Sequence, residues 1–189
     1  AHLLSNGRYT VMVTAAGSGF STCDDLAVTR WREDPAGDSW GSFIFLRDAA
    51  SGEVWSAGYQ PSGAEPDHYD VYFSEERARI HRSDGSISTA VEIMVSPEDN
   101  AEVRRLSITN SGLRAREIEV TSYCEVVLAP QGADVAHPVF SNLFVQTEYM
   151  SEERALLAAR RPRKATEPTI WAAHVLALPA GSQSHVEYE

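Results

Sequence analysis

The feature that most narrows the fold is a two-residue hydrophobic alternation along almost the whole chain, with no 12-residue stretch keeping a clean 3.6-residue period. In "REIEVTSYCEVV", Ile118, Val120, Ser122, Cys124 and Val126 fall on one side of an extended backbone. Glu117, Glu119, Thr121, Tyr123 and Glu125 fall on the other, so this segment is expected to be one long half-buried strand. Further strands are expected over 8–14, 26–32, 42–47, 53–60, 69–73, 77–82, 86–95, 102–109, 139–149, 154–160, 170–178 and 184–188. The breaks carry turn chemistry. Asp84-Gly85 and Ser51-Gly52 supply the positive φ of tight hairpins, and Asn110-Ser111-Gly112 suits a longer loop. About a dozen strands joined this way, without helices between them, imply an all-β fold: a large antiparallel sandwich rather than a parallel α/β sheet.

Two "SEER" stretches, at Ser74 and Ser151, have a capping serine and an acidic first turn, but lack the reciprocal glutamate of a full capping box. The first reads as a turn; the second, running into "ALLAARRP", is open between strand and helix. "RRPRKATEP" at 160–168 reads as a loop. No repeat or composition shift marks a second domain, so residues 1–189 are expected to form one. The start without Met and the stop inside the alternating "SHVEYE" suggest a piece of something longer.

Charge limits the partners. Lys and Arg number 16 against 27 Asp and Glu, a net −11, which disfavours nucleic acid and anionic membrane surfaces. No apolar run approaches the roughly 20 residues of a membrane-spanning helix, so any membrane attachment is expected through other parts of a parent protein. Cys23 and Cys124 are too few to staple a fold of this size and are expected as free thiols of a reducing compartment.

The segment "AAGSGFSTCDD" reads as a glycine-studded loop. It is either a plain hairpin connection or a ligand-facing loop, with Phe20 or Cys23 touching a ligand while Ser21 and backbone amides hydrogen-bond to it. No lysine follows, which excludes a phosphate-binding P-loop. In "LAVTRWRED", alternation places Arg30 and Arg32 on one side and Trp31 on the other. Two guanidinium groups on one face suit a carboxylate, phosphate or sugar hydroxyls, or equally an ion pair with Asp24, Asp25, Glu33 or Asp34. Trp31, Trp40, Trp55, Tyr59 and Trp171 suit either a sugar ring or the core. "GADVAHPVFSNLF" reads as a strand-to-strand loop offering His137, Ser141 and Asn142 beside Phe140, or as a connection with no ligand. His68, His137 and His174 lack metal-ligand spacing, and no carboxylate stands in a motif that selects a general acid. No metal, cofactor or catalytic residue is therefore expected.

Together, "LLSNGRYTVMVTAAGSGFS", "LAVTRWRED", "WSAGYQPSGAEPDHYDVYFSEERARIHRSDG", "SPEDNAEVRRLSITNSGLRAREIEVTSYCEVVLAP" and "AHPVFSNLFVQTE" resemble the amino-terminal β-sandwich of the cyclic β-1,2-glucan synthase and cellobiose phosphorylase (glycosyltransferase 36-like) family. The likeness covers nearly the whole chain and is strongest to the synthase branch. It implies a galactose mutarotase-like super-sandwich that precedes a catalytic (α/α)6 barrel, the general acid and phosphate-binding groups lying in that barrel. It implies as partners a β-glucan or glucooligosaccharide and the barrel of the same parent chain, with a homodimer also open. The expected place is the cytoplasmic face, in an inner-membrane parent. Carried over residue by residue, Cys23 stands where a relative has a sugar-contacting Tyr, and Phe140 and Ser141 stand where relatives have Gln and Arg. On this reading the rim of a glucan pocket comprises Phe20, Ser21, Cys23, Arg30, Trp31, Arg32, His137, Phe140, Ser141 and Asn142. Two other readings stand beside it: a structural docking or dimerisation module, and a mutarotase-like epimerase, which needs a histidine and a carboxylate to converge.

Overall fold

The computed structural model describes residues 1–34, 36–164, 167–179, 181 and 184–188. The chain divides into two units, Ala1–Glu125 and Val126–Glu189. The first contains β1 (His2–Ser5), β2 (Tyr9–Val13), β3 (Gly19–Cys23), β4 (Leu26–Thr29), β5 (Phe43–Asp48), β6 (Val54–Ser56), β7 (His68–Phe73), β8 (Ala78–Asp84), β9 (Ile87–Val95), β10 (Glu102–Asn110) and β11 (Ile118–Tyr123). The second contains β12 (Val126–Pro130), α1 (Gln131–Ala136), α2 (Pro138–Asn142), β13 (Val145–Met150), β14 (Ala155–Arg160) and β15 (Ile170–Val175). The all-β, antiparallel expectation holds.

Within the first unit, β1-β2-β3-β4 are hydrogen-bonded in that order, β10-β9-β8-β7 form a second sheet and β11-β5-β6 a third. Alternation decides which face is buried. Tyr9, Val11 and Val13 of β2 point inward while Thr10 and Met12 do not. They join Leu4, Leu46, Trp55, Ala57, Ala78, Ile87, Val91 and Ile93 in one apolar cluster. Each large member contributes about 1.5–3 kcal/mol by leaving water. Arg82 is a fully buried charge with its donors satisfied; it donates to both carboxylate oxygens of Asp84 at 2.7 Å and to the Gly58 carbonyl at 3.0 Å. The β8–β9 hairpin pairs Asp84 with Ile87, so its loop is Gly85-Ser86, with positive φ at Gly85 alone.

The structure corrects several expected boundaries. "AAGSGFSTCDD" is not one loop: the chain turns at 14–18 and re-enters a strand at Gly19, so Phe20, Ser21 and Cys23 lie on β3. Gly19 has φ +151, and a Cβ there would sit 1.8 Å from the Met12 carbonyl, so only glycine lets β3 fold back onto β2. The segment 116–127 is not one strand; β11 ends at Tyr123, and its residues are mostly exposed rather than half-buried. Residues 138–142 form α2 instead of a strand or loop, because Pro138 at the first helical position fixes a helical φ. The second "SEER" is a turn leading into strand β14. β4 stops at Thr29, β6 at Ser56 and β15 at Val175, each short of its expected end. The described residues 184–188 contain no strand.

In the second unit β13, β14 and β15 form an antiparallel sheet. Among the described residues no helix is long and apolar enough to cross a membrane.

Candidate functional site

Alternation on β3 splits its expected site residues. Phe20 faces outward and meets Trp31, ring centroids 5.3 Å apart and tilted by 58°. Ser21 faces inward and is fully buried. Its hydroxyl donates to Glu102 at 2.5 Å, and its backbone N–H donates to the Thr29 hydroxyl at 2.9 Å. The same Glu102 accepts the Tyr9 hydroxyl at 3.2 Å, and its second oxygen accepts Arg104 Nε at 2.9 Å. Burial works to raise the Glu102 pKa, but the Arg104 charge and the donated hydrogen bonds outweigh it, and the carboxyl lies below its ordinary value. Burial and the Glu102 charge push the Tyr9 phenol upward. Ser21 thus belongs to a satisfied interior network rather than to a rim. Cys23, unpaired in any disulfide, packs against the apolar cluster. Cys124 is also a free thiol, its pKa raised by burial.

The two arginines part company. Arg30 is 6% exposed and ion-paired with Glu125, while its backbone N–H donates to the Glu125 carbonyl at 2.8 Å. The ion-pair alternative holds for it, with Glu125, a carboxylate distant in sequence. Arg32 stacks its guanidinium over the Trp40 ring at 5.6 Å, and its buried Nε has no acceptor among the described residues. Trp40 is brought there by the backbone, since Gly19 N–H donates to its carbonyl at 2.8 Å. The half-buried side chains of Phe20, Trp31, Arg32 and Trp40 therefore offer aromatic faces and an unused planar donor, the groups that suit a sugar ring. Trp40 is eligible by type in the sequence, yet only the Gly19 contact singles it out.

In the second unit, Ser141 is buried, and both its carbonyl and its hydroxyl accept Arg160 Nη1, at 3.2 and 3.3 Å. Arg160 also donates to the Val127 carbonyl at 3.0 Å, and burial lowers its pKa. Ser141 therefore anchors an internal arginine. Phe140 is half-exposed, edge-to-face with Phe144 at 5.2 Å, and the Arg163 guanidinium lies 5.8 and 5.1 Å from the two rings. His137 is exposed and its carbonyl accepts the Ser141 N–H at 2.9 Å; Asn142 is exposed at the end of α2. Around them Val139, Leu143 and Phe140 present an apolar surface, 80%, 65% and 52% exposed.

Sequence spacing also missed one constellation. His68 and Asp70 on β7 and His81 on β8 converge on one sheet face, contrary to the reading that His68 lacks metal-ligand company. The signal lay in the predicted hairpin, since strands that pair in that register set residue 70 opposite residue 81.

A model for the glycosyl hydrolase 94 supersandwich domain matches residues 1–189. The chain is 41% identical over 187 residues to the cyclic beta-(1,2)-glucan synthase NdvB of Rhizobium meliloti (strain 1021), covering 99% of this chain and 7% of the relative. It is 28% identical over 116 residues to the solabiose phosphorylase of Paenibacillus borealis, covering 61% and 15%. It is 27% identical over 151 residues to the N,N'-diacetylchitobiose phosphorylase of Vibrio furnissii, covering 77% and 19%. The chain thus spans less than a fifth of the length of each of these relatives.

Proposed function

We propose, from the premise that this chain belongs to the glycosyl hydrolase 94 supersandwich family, that it is a non-catalytic, glucan-contacting module of a longer glucan-processing enzyme. The carrying observation is the Arg32–Trp40 stack with its unused buried Nε donor: an aromatic face beside a planar cation that still needs an acceptor. A sugar ring supplies both an apolar face for the aromatic group and a hydroxyl oxygen for the donor. Phe20 and Trp31 form a second aromatic pair adjacent to it in sequence. The proposed ligand is a β-glucan or glucooligosaccharide, after the name of the cyclic beta-(1,2)-glucan synthase relative. The proposed parent carries its proton-transfer chemistry in a separate catalytic (α/α)6 barrel and lies at the cytoplasmic face of an inner membrane.

Titration with β-1,2-glucooligosaccharides, followed by tryptophan fluorescence, tests this. Arg32→Ala and Trp31→Ala are each expected to weaken binding about tenfold, the loss of about 1.4 kcal/mol. Equal affinity in wild type and both variants sinks the assignment.

The exposed apolar surface of α2 favours a second reading for that unit, docking onto the remainder of the parent chain. Phe140→Ala tests that second reading: weaker assembly with the remainder of the parent chain at unchanged glucooligosaccharide affinity supports it, and unchanged assembly contradicts it.

A further inference from the structure

We infer that His68, Asp70 and His81 form a Zn2+ site that clamps β7 to the sheet. β7 pairs with β8 and forms one end of the β10-β9-β8-β7 sheet. The register sets Asp70 directly opposite His81, and His68 lies two residues before Asp70, so all three side chains leave the same face. One ligand atom from each lies within 4.8 Å of the other two. His68 Nε2 is 2.5 Å from Asp70 Oδ2, and the His68 and His81 rings meet edge-on with centroids 6.0 Å apart. The His81 imidazole makes no hydrogen bond among the described residues.

Geometry and ligand type select the ion. Zinc bonds of about 2.0–2.2 Å to nitrogen and oxygen place tetrahedral ligands about 3.4 Å apart. Exposed His68 and half-buried Asp70 and His81 reach that spacing from 4.8 Å by rotating about their own bonds, while the paired backbone stays fixed. Two imidazoles and one carboxylate suit a borderline ion, whereas calcium and magnesium call for oxygen-rich cages. Three protein ligands leave a fourth position for water. The His68–Asp70 side chains are 58% and 44% exposed, so that position opens to solvent. A bound ion joins residues of two neighbouring strands and resists fraying of β7 from β8.

The test is a zinc titration of the purified, chelator-stripped protein against a chromogenic competitor, with melting measured alongside. Wild type is expected to bind one equivalent more than His81→Ala or Asp70→Asn, or to lose at least about tenfold in affinity at that equivalent in either variant. Zn2+ should raise the wild-type melting midpoint, and Mg2+ at the same concentration should not. His185→Ala, which removes a second exposed histidine–carboxylate pair, should behave as wild type. Unchanged zinc affinity in both His81→Ala and Asp70→Asn overturns the site, as does loss of the bound equivalent in His185→Ala. The metal-free melting midpoints show whether the variants remain folded, and Asp70→Asn keeps the side-chain shape if His81→Ala does not.

Discussion

The interior around Glu102 and the segment from Arg30 to Trp40 both place polar groups out of water, and they treat them in opposite ways. Around Glu102, the hydroxyls of Ser21 and Tyr9 and the Arg104 guanidinium all point at one carboxylate. In the other region Arg30 is paired, but two residues later Arg32 keeps a buried donor with no acceptor among the described residues. A satisfied network holds a fold together; an unsatisfied donor beside an aromatic ring has capacity left for a ligand. The difference teaches that residue type and local density of polar groups do not identify a site. The count of filled and unfilled hydrogen-bond positions is what separates these two regions.

The largest test of that contrast is Glu102→Leu. It strands Arg104 and two hydroxyls, and is expected to cost about 3 kcal/mol in denaturant unfolding. The same carboxylate gives the contrast a pH signature. Because its folded pKa lies below the ordinary 4.5, the unfolded chain binds more protons in acid. Its stabilisation is complete above about pH 5, and it fades as pH falls through 4.5 toward the folded value. Asp48, whose carboxyl is lowered chiefly by the Ser51 backbone N–H and further by Arg116, adds to the same acid loss. An unfolding free energy that does not fall between pH 5 and pH 3 in wild type, or that falls just as steeply in Glu102→Leu, contradicts this assignment.

Ser21→Ala comes next, at about 1 kcal/mol, since Glu102 keeps its other donors. It should leave glucooligosaccharide affinity unchanged; a loss of binding at constant stability would move Ser21 back to the rim. The smallest effect is expected for Arg32→Met, which keeps the aliphatic stem and removes the unused donor. Its stability should stay within about 0.5 kcal/mol of wild type. A loss as large as that of Ser21→Ala would erase the distinction between the two regions.

Much of the fold was legible because burying one face of a strand imposes a two-residue period whatever lies across from it. That is why β2, β8, β9 and β10 fall within a residue or two of their expected ends. β3 escaped because "GFSTC" has too few apolar residues to show alternation, and its return onto β2 depends on a glycine that a backbone carbonyl would exclude. The 138–142 segment escaped because its helix is a single turn started by Pro138, too short for a helical period.

The sequence by itself determined the strand-built class, the antiparallel hairpins and the family, because these rest on local periodicity, turn chemistry and wording along one chain. Tertiary structure alone decided that Ser21 and Ser141 turn inward, that Arg30 finds Glu125 while Arg32 stacks on the Trp40 ring, and that His81 stands opposite Asp70. Those outcomes depend on which distant segment arrives beside a side chain. That partner is chosen by strand register and by the burial of the whole face, which no short window of residues contains.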